Sequence, residues 1–71
     1  GKTVSGTVDI TVPAGANGQT VRIVLVDDNG RRVVYDSKQN PGDNIVRNVS
    51  GTGSVRVQVY INGALVQDQT L

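Results

Sequence analysis

The sequence predicts an all-β domain, a small antiparallel β-sandwich of about six short strands, and three observations carry that prediction. β-Branched residues recur in short runs with a period of two, and no stretch has helical spacing. Two Asn-Gly dipeptides, Asn29-Gly30 and Asn62-Gly63, lie between such runs as tight hairpin turns. Stretches rich in Gly, Pro, Asn and Ser divide the remaining runs.

Residues 3–12 form the first expected strand: Val4, Val8, Ile10 and Val12 share one face with Gly6, and Thr3, Ser5, Thr7, Asp9 and Thr11 take the other. Pro13 cannot donate to a ladder, so the glycine-rich residues 13–19 end the strand. In the second strand, residues 20–28, Val21, Ile23 and Leu25 lie on one face while Val24 and Val26 lie on the other. Across a two-residue Asn29-Gly30 loop, period-2 geometry pairs Val26 with Val33, Leu25 with Val34 and Val24 with Tyr35. After the third strand, residues 31–36, Pro41-Gly42 suits the centre of a type II turn.

Residues 44–50 give the weakest strand, with Ile45, Arg47 and Val49 on one face and Val46 on the other. Residues 54–62 give the cleanest: Val55, Val57, Val59 and Ile61 alternate with Arg56, Gln58 and Tyr60. The Asn62-Gly63 hairpin then sets Ile61 against Ala64, Tyr60 against Leu65 and Val59 against Val66, and the last strand covers residues 64–70. In immunoglobulin-like and fibronectin-like sandwiches the tight hairpins join C to C′ and F to G. Assigning the six strands as B, C, C′, E, F and G places both Asn-Gly turns at those joints. The expected architecture is a four-stranded G-F-C-C′ sheet facing a small B-E sheet.

A chain of 71 residues makes one domain, residues 1–71, and a domain of this size buries only about 60% of the surface its unfolded chain exposes. Neither Cys nor His is present, so no disulfide or imidazole–thiolate metal site reinforces it. A net charge of +1, from seven basic and six acidic residues, lacks the footprint of a nucleic-acid binder. No window is long and apolar enough to span a membrane, and a start at Gly1 reads as a fragment of a longer protein. A monomer is expected.

Catalytic chemistry finds no foothold in these residues. Without His or Cys, the four serines form no Ser-His triad and thiol chemistry is excluded. The six Asp are scattered over turns and strands, and there is no Glu. Asp27-Asp28-Asn29-Gly30 reads as turn chemistry rather than as a calcium loop. No cofactor, no metal and no enzymatic activity are expected. Two surface features remain as candidates. If strands C and F pair, Arg22 and Arg56 lie side by side on the outer face as an anion contact. Val24, Val26, Val33, Tyr35, Tyr60 and Leu65 would share that face as an apolar contact surface for a neighbouring domain or partner. In another register Tyr35 and Val33 belong to the core and Val24 packs under a loop.

The stretches VRIVLVDDNGRRVVYD, NPGDNI and GTGSVRVQVYINGALVQDQTL resemble the short immunoglobulin-like domain at the extracellular C-terminal end of Firmicutes-type membrane serine/threonine kinases that carry PASTA repeats. The match covers residues 20–71, more loosely the first strand, and rests on strand and turn residues. It implies kinase parentage without kinase activity, since neither kinase motifs nor the PASTA pattern are present. It further implies a place outside a bacterial cell, in a single-pass membrane protein, as a module extending or capping a peptidoglycan-sensing rod. The partners implied are the adjacent domain of the parent chain and peptidoglycan fragments. Two other classes stand beside it: a carbohydrate-binding module, in which Tyr35 and Tyr60 form a stacking platform, and a structural repeat of a bacterial surface adhesin.

Overall fold

The computed structural model describes residues 1–15 and 18–71; Ala16 and Asn17, part of the connection expected at residues 13–19, lie outside the described residues. The chain forms β1 (Thr3–Thr11), β2 (Gln19–Asp27), β3 (Gly30–Gln39), β4 (Asn44–Thr52), β5 (Arg56–Ile61) and β6 (Ala64–Thr70). All pairings are antiparallel. β1 and β4 make a two-stranded sheet, and the other sheet runs β3-β2-β5-β6. This is the expected sandwich, with C′-C-F-G facing B-E.

Alternation on four strands builds the core. Val8, Ile10 and Val12 meet Val21, Ile23, Leu25, Val57, Val59 and Ile61 across the gap, and Ile45, Val49 and Val55 complete the cluster. Nearly every member is β-branched, and such side chains have few rotamers to lose on a pleated surface. Gly51 is buried beside them, where a Cβ would come within 2.8 Å of an Asp27 carboxylate oxygen and 3.1 Å of Leu25.

The first hairpin departs from the expected register. Asp27 pairs with Gly30, so the two loop residues are Asp28 and Asn29, not Asn29 and Gly30. The cause is the Asp27 carboxylate, which accepts the Asn29 N–H (2.9 Å), the Thr52 N–H (2.9 Å) and the Arg32 guanidinium (3.1 Å). This starts the turn one residue early, and Gly30 supplies the positive φ of +114° that follows it. Val24 therefore pairs with Val33 instead of Tyr35, and Leu25 with Arg32 instead of Val34. A bulge then inserts Val34 and brings Tyr35 opposite Ile23, on the core side.

The second hairpin begins as expected, with Ile61 opposite Ala64 and Tyr60 opposite Leu65. Asn62 and Gly63 both have positive φ, 52° and 82°, the signature of a type I′ turn. A bulge at Val66 then sets Gln67, not Val66, against Val59, and Val66 is exposed. At the Pro41-Gly42 turn, the Asp43 N–H donates to the Asn40 carbonyl at 3.1 Å and Gly42 has φ +88°, as a type II turn requires.

The molecule is elongated, 41 × 18 × 15 Å, and its two poles differ. Both chain ends lie at one pole: the Gly53 N–H donates to the Lys2 carbonyl at 2.7 Å, and the Leu71 N–H to the Val55 carbonyl at 2.9 Å. The other pole holds the Asn62-Gly63 and Pro41-Gly42 turns. There Val12 donates to the Asp43 carbonyl (2.8 Å) and Asn62 to the Thr20 carbonyl (2.9 Å).

Candidate functional site

The outer face of the four-stranded sheet is the surface on which the sequence concentrates its unexplained residues. Arg22 stands opposite Asp36 on β3 and Tyr60 on β5; Val24 opposite Val33 and Gln58; Val26 opposite Arg31 and Arg56. The expected anion pair is not assembled. Arg56 faces Val26, four residues along β2 from Arg22, a separation of about 13 Å at strand rise. Each arginine has its own carboxylate: Arg22 donates to Asp36 at 3.1 Å through Nη2, and Arg56 donates to Asp68 through Nε at 3.3 Å and through Nη2.

The six expected contact residues separate into four groups. Val33 and Leu65 are half-exposed, at 49% and 50%, and Val26 and Tyr60 are half-buried. Val24 is fully buried although it lies outside the core cluster, opposite Val33 and Gln58 in the sheet. Tyr35 lies on the inner side, packed against the core, so it shares no face with Tyr60 and the two form no stacking platform. Val33 on β3 and Leu65 on β6 stand at opposite edges, three strand spacings or about 14 Å apart. The ion pairs Arg22–Asp36 and Arg56–Asp68 lie among them. The face is a polar surface with apolar margins rather than one continuous apolar patch.

That face does carry a cleft of about 390 Å³, lined by Thr20, Arg22, Arg31, Tyr60, Asn62 and Gly63, and it opens toward the pole away from the chain ends. The Thr20 N–H donates to Asn62 Oδ1 at 2.9 Å while the Asn62 N–H donates back to the Thr20 carbonyl, locking the start of β2 to the hairpin tip. With Oδ1 turned to Thr20, the Asn62 amide keeps Nδ2 as its outward donor. Tyr60 donates its hydroxyl to Gln58 at 3.3 Å. Arg31, opposite Val26, is also among the residues that line this cleft. Arg31 falls on the outer face of β3 in the expected register as in the observed one; the earlier turn moves it two residues along β2, from opposite Asp28 to opposite Val26.

A second, shallower trough of about 400 Å³ crosses the two-stranded sheet, lined by Ser5, Gly6, Thr7, Asn48, Val49 and Ser50. Thr7 Oγ1 donates to Asn48 Oδ1 there at 3.1 Å. The Asp27-Asp28 run, weighed as a calcium loop, has its first carboxylate committed to Arg32 and to two backbone N–H groups. Arg32 and the Thr52 and Asn29 N–H groups hold the Asp27 carboxyl below its ordinary value, against the opposing effect of desolvation. The chain matches no protein-family model, no curated protein and no solved structure.

Proposed function

We propose that this chain is a non-catalytic extracellular module of a bacterial membrane-anchored serine/threonine kinase, and that it caps rather than extends a peptidoglycan-sensing PASTA region. The strand and turn sequences that carry the resemblance support the parentage. The observation that supports capping is the placement of both chain ends at one pole, through the Gly53–Lys2 and Leu71–Val55 backbone bonds. A rod is extended in line when a module's ends leave from opposite poles. With both ends at one pole, the opposite pole and its cleft face outward.

The coding sequence around this segment tests the parentage. A kinase domain, one membrane span and PASTA repeats upstream are the expected result; tandem copies of this strand pattern in their place would establish the adhesin-repeat reading instead. Small-angle scattering of the whole ectodomain then tests the cap: the module should add a terminal knob. A further stretch of rod continuing beyond it would overturn the placement.

A further inference from the structure

Five arginines are present, and four have a partner in the fold: Arg22 with Asp36, Arg32 with Asp27, Arg56 with Asp68, and Arg47 over the ring of Tyr35. Among the described residues Arg31 alone has neither a carboxylate nor an aromatic face, and its side chain lines the cleft that Arg22 also lines. Two arginines thus line the cleft, and of the two Arg22 is the one paired with a carboxylate. We propose that the cleft binds an oxyanion, a carboxylate or phosphate group carried on a small ligand, between the guanidinium groups of Arg22 and Arg31.

The inventory of hydrogen-bonding groups leads to this ligand class. Asp36 engages Arg22 through Nε at 3.3 Å and Nη2 at 3.1 Å, which leaves Nη1 of Arg22 to donate elsewhere. Arg31 brings a whole fork of donors, the geometry that matches planar oxyanions. Asn62 Nδ2 adds a neutral donor, and the Thr20 hydroxyl either donates or accepts. Oδ2 of Asp36 takes both bonds from Arg22, and Asp36 is not among the residues that line the cleft. The site is therefore rich in donors and poor in acceptors, which favours a ligand with negative charge. Tyr60 supplies an apolar wall for whatever carries the anion, and Gly63 adds no side chain to the rim. A cleft of about 390 Å³ falls at the lower end of the size range of small-ligand sites. The assignment holds whichever parent protein carries the module.

The test is a titration of the intact 71-residue chain with sodium acetate and, separately, sodium phosphate at fixed ionic strength, followed by amide and arginine side-chain NMR shifts. Saturable shifts are expected at Thr20, Arg22, Asn62 and Gly63 and at the Nε–H of Arg31. The arm that saturates at lower concentration identifies the oxyanion. Arg31→Ala should weaken binding roughly tenfold or more, the scale of losing charge-assisted hydrogen bonds. Arg56→Ala, which removes an arginine outside the cleft, should leave the affinity unchanged. Shifts that climb linearly without saturating, that spread over all arginines alike, or that persist unchanged in Arg31→Ala would each overturn the proposal. Arg31 is exposed, so its removal should leave the fold intact, and the variant's own amide spectrum verifies that.

Discussion

The guanidinium carbon of Arg47 stands 5.0 Å from the ring centroid of Tyr35, and so ties the two-stranded sheet to the edge strand of the other. Arg47 shares the inward face of β4 with Ile45 and Val49, a position where a buried charge would be costly. It escapes by lying over Tyr35, whose hydroxyl donates to Gln39 Oε1 at 2.6 Å, while Gln39 Nε2 donates to Asp43 at 3.3 Å. Arg47→Ala should cost about 0.5–1 kcal/mol, the range of an exposed cation–π contact. Arg47→Met keeps much of the stem, so comparing the two variants in urea unfolding separates charge from packing. A double-mutant cycle with Tyr35→Leu should return a coupling of similar size, and zero coupling would reduce the pair to mere proximity.

Asp27 gives the fold a dependence on acid. Its carboxylate is shielded from solvent, and Arg32 first, then the Thr52 N–H, lower its pKa below the ordinary 3.8. A carboxyl with a lowered folded-state pKa contributes stability above its unfolded value and loses it as pH falls through the folded one. The melting temperature should therefore fall as pH drops below about 3.8. Asp27→Asn should melt lower than the parent chain at pH 7, and the difference should narrow as the pH falls below that value. A constant difference across the range would mean that the ionised form is not what the fold uses.

Gly51 is where the inward face of β4 meets Asp27 and Leu25. An alanine Cβ there would stand 2.8 Å from the Asp27 carboxylate and 3.0 Å from Val55 Cγ2, so both must shift. Gly51→Ala should cost about 1–3 kcal/mol, as overpacking of a core does. In a domain of this size each kcal/mol lowers the melting temperature by about 4–8 °C, well within reach of calorimetry. A melt unchanged by the substitution would show that this corner is loosely packed.

Strand order was legible because it rests on composition and period: Val55, Val57, Val59 and Ile61 alternate without interruption, and all four are buried. Register was less legible, because a bulge adds one residue without changing the local composition. Val34 and Val66 are each an ordinary strand residue in an ordinary run, and nothing beside them marks them as unpaired. The earlier turn shifts the register by two residues and keeps every face, so the bulge at Val34 alone moves Tyr35 to the inner side. The cleft was illegible because it draws on Arg31 at its place opposite Val26, which follows from the earlier turn rather than from composition. Arg22 and Tyr60, whose positions do not depend on that hairpin, were rightly placed on the outer face.

Two identical Asn-Gly dipeptides occupy unlike turns, and their asparagines should respond unequally to the same change. Asn29 has no positive φ and gives only its backbone N–H to Asp27, so Asn29→Ala should fall within about 0.5 kcal/mol of the parent chain. Asn62 sits at φ 52°, in the left-handed region, and its Oδ1 accepts the Thr20 N–H at 2.9 Å. An alanine there meets a backbone penalty of about 1–2 kcal/mol and loses that hydrogen bond as well. Asn62→Gly relieves the backbone while still losing the bond, and should fall between the other two. Chemical denaturation of the three variants gives the order Asn29→Ala, Asn62→Gly, Asn62→Ala, from mildest to worst. Equal losses at Asn29 and Asn62 would mean that both dipeptides form the same turn, and the one-residue shift set by Asp27 would not hold in solution.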